Sequence, residues 1–161
     1  MPKKAAVASL ALPMKPRAPS PLAASDPPAA SYATIPDRVK VTAVADAVPE
    51  TLAQRVEQLG ATGYSDFTEL VKDPNVDAVD ICLPHHLHKP AIIAAAEAGK
   101  HILCEKPLCL PAEEAREVRD AVAKAGGTLM CAHNQLVMPA AAKAEEVSDS
   151  AALRAVVREP T

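Results

Sequence analysis

Residues Ala78–Pro111, AVDICLPHHLHKPAIIAAAEAGKHILCEKPLCLP, constrain the fold more than any other stretch of the chain. Ala78–Leu83 is an apolar run with no helical face, bounded by turn residues, which suits a strand buried on both sides. His88–Glu97 is rich in alanine and isoleucine, and Gly99 follows where a helix commonly stops. His101–Cys104 reads as the next strand. Strand, helix and strand within about 27 residues form a parallel crossover unit, right-handed and with its helix on the sheet. Ligands of such sheets sit beyond the carboxyl ends of the strands. Leu83-Pro84-His85-His86 and Glu105-Lys106-Pro107 fall at two of those ends.

The same alternation extends in both directions. Val39–Ala45 (VKVTAVA) is a β-branched strand ending on Asp46. Pro49 opens a helix whose Leu52, Val56 and Leu59 form an apolar face before Gly60 closes it. Thr62–Tyr64 suits a short edge strand, and Asp66 can cap a short helix with Phe67, Leu70 and Val71 facing inward. Asp73-Pro74-Asn75 is a turn. Pro111 starts an amphipathic helix, with Ala115, Val118 and Val122 toward the sheet and Gly126-Gly127 at its end. Thr128–Ala132 is another strand, carrying His133-Asn134-Gln135 at its carboxyl end, and Pro139 opens a last helix to about Val147. Alternating strands and helices predict a doubly wound, mainly parallel α/β sheet of Rossmann type.

Residues 1–28 differ. Half of the chain's sixteen prolines lie within residues 1–36, and the first glycine is Gly60. Most of this segment reads as proline-rich and poorly ordered, although Ala5–Leu12 can form a strand and Ala29–Ile35 the last turns of a short helix. Lys3, Lys4 and AAVASLAL faintly resemble a secretion signal, but the apolar part is short and suits a strand or tail better.

A chain of 161 residues fits one ordinary domain. With 2% aromatic residues, its core has to come from Ala, Val, Leu and Ile. A net charge of −3 gives no electrostatic case for nucleic acid or an anionic membrane, and no apolar run approaches membrane-spanning length. Cys82, Cys104, Cys109 and Cys131 show no C-x-x-C spacing and read as small buried hydrophobes of a reducing, cytoplasmic protein. His85, His86 and His88 invite a metal reading. A zinc site needs three or four convergent ligands, however, and neighbours at a strand-to-helix turn point in different directions, so no metal is expected.

Three motifs stand at strand ends: Val44-Ala45-Asp46, Leu83-Pro84-x-x-x-His88 and Glu105-Lys106-Pro107, with AHNQ and Pro139 further on. In these the chain, from about Ala29 to Val147, resembles the N-terminal domain of the Gfo/Idh/MocA oxidoreductases. The resemblance implies an NAD(P)-dependent dehydrogenase acting on a sugar, cyclitol or related polyol, with residues 29–147 as its dinucleotide-binding domain. It implies that Asp46 accepts hydrogen bonds from the adenosine ribose and, through its charge, favours NAD over NADP. Leu83, Pro84 and His85 would line the nicotinamide ribose, with His88 and Asn134 as further cofactor contacts. Glu105 would hold Lys106 and touch the cofactor. Lys106 is the catalytic candidate, since a buried lysine there can hydrogen-bond the oxygen that changes charge during hydride transfer. The competing reading of Glu105 and Lys106 is an ordinary surface ion pair.

The sequence departs from the family pattern in two places. The glycine-rich phosphate turn is replaced by a window holding Pro13, Pro16, Pro19 and Pro21, which suggests a shifted reading frame or a mis-assigned start. Losing two charge-assisted hydrogen bonds of about 1.5–3 kcal/mol each would weaken cofactor binding by roughly 10²- to 10⁴-fold. The first strand, central in this topology, then has to come from Ala5–Leu12. The second departure is that residues 148–161 stand where a substrate-binding, oligomer-forming second domain begins in the family, so this chain alone is expected to be inactive. The alternative is a non-catalytic remnant that binds a nucleotide weakly or a protein partner. A proline-rich ligand segment in residues 13–28 is a third reading.

Overall fold

The computed structural model describes residues 5–11, 32, 34–109 and 111–133. The described elements lie in a unit that ends at Cys131. Among the described residues the strands are β1 (Ala5–Ala11), β2 (Val39–Ala45), β3 (Thr62–Tyr64), β4 (Ala78–Cys82), β5 (His101–Cys104) and β6 (Leu129–Cys131). The helices are α1 (Pro49–Leu59), α2 (Phe67–Leu70), α3 (His85–Glu97) and α4 (Ala112–Ala125). All strands are parallel, in the order β3-β2-β1-β4-β5-β6. This is the doubly wound order whose direction reverses between β1 and β4, leaving a crevice at the carboxyl edge there.

The central strand is the alanine-rich AAVASLA, which pairs with β2 on one side and β4 on the other. Its intrinsic β-propensity is weak. Two flanking ladders and full burial of Ala8 outweigh that preference. Small residues also suit the sheet centre. Ala8, Ala43 and Ala45 share one core cluster with Ala91, Ile92, Ala95 and Ala96 of α3, so helix and sheet pack closely without aromatic side chains. A second cluster joins Val41, Val44 and Ala61 to Tyr32 and to Leu52, Val56 and Leu59 of α1. Gly63 lets α1 approach β3, because a Cβ there would stand 2.7 Å from the Val56 side chain.

Local signals set the boundaries. Gly60 and Gly126 end α1 and α4 with φ of 60° and 69°, a backbone that glycine adopts without a Cβ penalty. Asp66 caps α2 by accepting from Thr68 N–H at 2.8 Å. Asp73 Oδ1 accepts from Asn75 N–H at 2.8 Å, which closes the expected turn.

Two local expectations need correction. The helix before β5 begins at His85 and not at His88, because Pro84 takes the N-cap position with ψ of 146° and its carbonyl accepts from Leu87 N–H at 2.8 Å. On α4, Val118 and Val122 are buried but Ala115 is exposed, since the helix meets the core only from its second turn. Of the turn expected at Ala29–Ile35, Tyr32 is helical and residues 29–31 and 33 lie outside the described residues. The helix expected from Pro139 lies outside them too.

Candidate functional site

Because every strand runs the same way, Asp46 after β2, Leu83-Pro84-His85 after β4 and Glu105-Lys106 after β5 stand on one edge of the sheet. Three strand spacings separate the first from the last, about 14 Å at ~4.8 Å each. The sequence candidates thus line a single rim that straddles the β1/β4 reversal. Asn134 lies outside the described residues.

Asp46 is the most confined of them. Its Oδ1 accepts from Val48 N–H at 2.9 Å, which fixes the carboxylate at the start of α1. Its Oδ2 lies 3.9 Å from Arg55 Nε, an ion pair too long for a hydrogen bond. The Asp46 side chain is 0% exposed and that of Arg55 13%. Asp46 Oδ2 and Arg55 Nη1 are both buried without a hydrogen-bond partner. A buried carboxylate oxygen left unbonded is costly and calls for a donor. A ribose hydroxyl is such a donor, so the chemistry of this corner fits the adenosine half of a dinucleotide.

His88 is placed differently from its expected role. It is fully buried on α3, with Nε2 2.8 Å from the Leu83 carbonyl oxygen and Nδ1 2.9 Å from that of Pro107. Both ring nitrogens are therefore occupied by backbone, and the imidazole ties the β4 end to the loop after β5 instead of offering a nitrogen to a cofactor. The sequence carries this signal: His88 is in helical register with Ala91, Ile92, Ala95 and Ala96, the buried stripe of α3. His85 and His86 are exposed on the first turn, and the His85 ring meets that of His88 edge-on at 5.6 Å.

The loop after β5 continues the sheet for one more residue, Glu105 N–H donating to the Ile81 carbonyl at 2.9 Å. The Glu105 carboxylate then accepts from the backbone N–H of Lys106 at 3.2 Å. It fixes the peptide rather than the ammonium. Lys106 is exposed, so the buried setting expected for it is not supplied by the described residues. The Lys106–Pro107 bond is cis.

Sequence reading missed Asp80. It is nearly fully buried in β4, accepts from Tyr32 Oη at 3.0 Å and has Cys82 Sγ at 3.6 Å. Burial raises its pKa from 3.8 to about 6, the bonds from Tyr32 and Cys82 oppose that rise, and the charge of Glu105 adds to it. A carboxylate inside a strand already read as buried on both faces was the available sign. Among the described residues no group of three His, Cys, Asp or Glu could hold a metal ion, and no helix is long and apolar enough to cross a membrane.

Residues 23–133 match the family model described as an oxidoreductase family with an NAD-binding Rossmann fold. The chain belongs to the Gfo/Idh/MocA family. Its matched residues are that family's NAD(P)-binding domain. Among relatives of this Gfo/Idh/MocA chain, levoglucosan dehydrogenase of Pseudarthrobacter phenanthrenivorans is 40% identical over 111 residues, 68% of this chain and 28% of that protein. Inositol 2-dehydrogenase/D-chiro-inositol 3-dehydrogenase of Lactiplantibacillus plantarum is 39% identical over 94 residues, 57% of this chain and 27% of that protein. The solved complex of levoglucosan dehydrogenase with NADH and levoglucosan superposes with a TM-score of 0.75 at 31% identity, over 91% of this chain and 40% of that one. The chain thus spans about 28% of the length of the first of these curated relatives.

Proposed function

We propose that this chain is the dinucleotide-binding domain of a dehydrogenase that moves a hydride between NAD(P) and a hydroxyl-bearing carbon of a sugar or cyclitol. The observation that carries the reading is the buried, half-bonded carboxylate of Asp46 on the same rim as Glu105 and Lys106. In this reading residues 29–147 form the binding domain. Asp46 takes the adenosine ribose, Leu83, Pro84 and His85 flank the nicotinamide ribose, and Glu105 orients the Lys106 peptide. The bound dinucleotide supplies the hydride acceptor. In its amine form Lys106 Nζ accepts the proton of the substrate hydroxyl and becomes the ammonium as the carbon becomes a carbonyl, a role worth typically 10²- to 10⁴-fold in rate for a positioned acid–base group. The levoglucosan and inositol dehydrogenases among the relatives support a polyol substrate class.

One sequence observation favours a second reading, a module that binds nucleotide and turns nothing over: no glycine precedes Gly60. Titrating the purified chain with NADH by fluorescence, with and without levoglucosan or inositol, separates the two. The first reading predicts saturable binding at micromolar to sub-millimolar NADH. Absence of binding at millimolar NADH would leave only the family relationship.

A further inference from the structure

Asp46 alone would make this rim an NAD filter, because its charge repels a 2′-phosphate. Arg55 alters that expectation. From α1 it brings a guanidinium to within 3.9 Å of Asp46 Oδ2, and its own Nη1 is buried without a partner. The carboxylate's charge is compensated at close range, and the two unbonded atoms are an acceptor on Asp46 and a donor on Arg55. A hydroxyl offers both functions, a proton for Asp46 Oδ2 and a lone pair for Arg55. A phosphate, which only accepts, pairs with the arginine, whose planar fork of N–H donors matches phosphate oxygens. The pair is too far apart to be locked by a direct hydrogen bond, so either partner can be engaged by a ligand.

We propose that Arg55 is a specificity-determining residue that makes the Asp46 corner admit an adenosine 2′-phosphate as well as a free 2′-hydroxyl, so that the domain accepts both NADP and NAD. This rests on the dinucleotide reading above. Arg55 acts at the adenosine end only, and its removal changes the ratio of the two cofactors rather than hydride chemistry.

The test compares NADH with NADPH, and 5′-AMP with adenosine 2′,5′-bisphosphate, on the full chain by fluorescence and calorimetric titration. The unaltered chain should hold the members of each pair within about tenfold of each other. Arg55→Met should weaken the 2′-phosphorylated member by about tenfold or more relative to the other, the loss of one charge-assisted contact. Arg55→Lys should retain most of the 2′-phosphate affinity, and Asp46→Asn should shift the ratio the opposite way. A wild-type preference for the 2′-hydroxyl above about 100-fold would overturn the proposal, as would a ratio unchanged in Arg55→Met. Should Arg55→Met fail to fold, the wild-type ratio and the Arg55→Lys and Asp46→Asn shifts still decide. If neither member of either pair binds, it is the dinucleotide reading itself that has failed.

Discussion

The Nδ1 of His88 lies 2.9 Å from the carbonyl oxygen of Pro107, so a buried helix residue carries the loop that contains Lys106. Its other nitrogen holds Leu83. Replacing His88 with Ala would remove the ring that links the Leu83 and Pro107 carbonyls and leave a side-chain void. A lost hydrogen-bond partner is worth about 1–3 kcal/mol and the void adds to it, so His88→Ala should destabilise the domain by roughly 2–4 kcal/mol. Urea unfolding of the variant beside wild type checks this, read as a lower midpoint at unchanged slope.

Asp80 predicts a pH effect of definite sign. Its native pKa is raised to about 6 by burial, so the protonated form is the one the fold favours. That contribution is fully present below about pH 4 and is lost as pH rises through 6. Asp80→Asn keeps an acceptor for Tyr32 Oη and cannot ionise. It should gain on wild type between pH 4 and 6, by about 3 kcal/mol at most, with no further gain above pH 7. Thermal melts of both proteins from pH 4 to 8 give the comparison. A constant difference across that range would contradict the assignment.

Lys100 provides a control on the opposite edge of the sheet. Its buried ammonium donates to the carbonyls of Asp73 and Val76, both at 2.8 Å, just ahead of β5 and β4. Lys100→Met removes two charge-assisted bonds of about 1.5–3 kcal/mol each and should cost roughly 3–6 kcal/mol of stability. Nucleotide affinity should be unchanged below the melting range, because the rim lies at the other end of the strands.

The thiol of Cys104 is fully buried and pushed up to about 12, mainly by burial and next by Cys131 and Cys109 beside it. It should stay unmodified by iodoacetamide at pH 8 in the native chain and react once the chain is unfolded in urea, since the thiolate is the reactive form. Peptide mapping after alkylation reads this directly.

The elements most legible in the sequence were those with their own punctuation. Pro49 and Gly60 bracket α1, and the β-branched run of β2 stops at Asp46. The start of α3 was placed three residues late, because the alanine- and isoleucine-rich pattern does not reach back to His85. Pro90 sits in the second turn and has no N–H to offer the carbonyl of exposed His86. β1 was only half legible, since an alanine-rich strand shows itself through its neighbours' ladders and not through its own propensity. The pairs Asp46–Arg55 and Tyr32–Asp80 were invisible for a related reason: nothing local marks which distant side chain will share a buried corner.

The central claim, that one carboxyl-end rim receives a dinucleotide, is tested most directly by following backbone amide resonances of the ¹⁵N-labelled chain during an NADH titration. The account predicts saturable shifts at Asp46, Val48, His85, Glu105 and Lys106, with Lys100 and Gly126 at the far edge unmoved. Shifts confined to the far edge, or none at millimolar NADH, would contradict it.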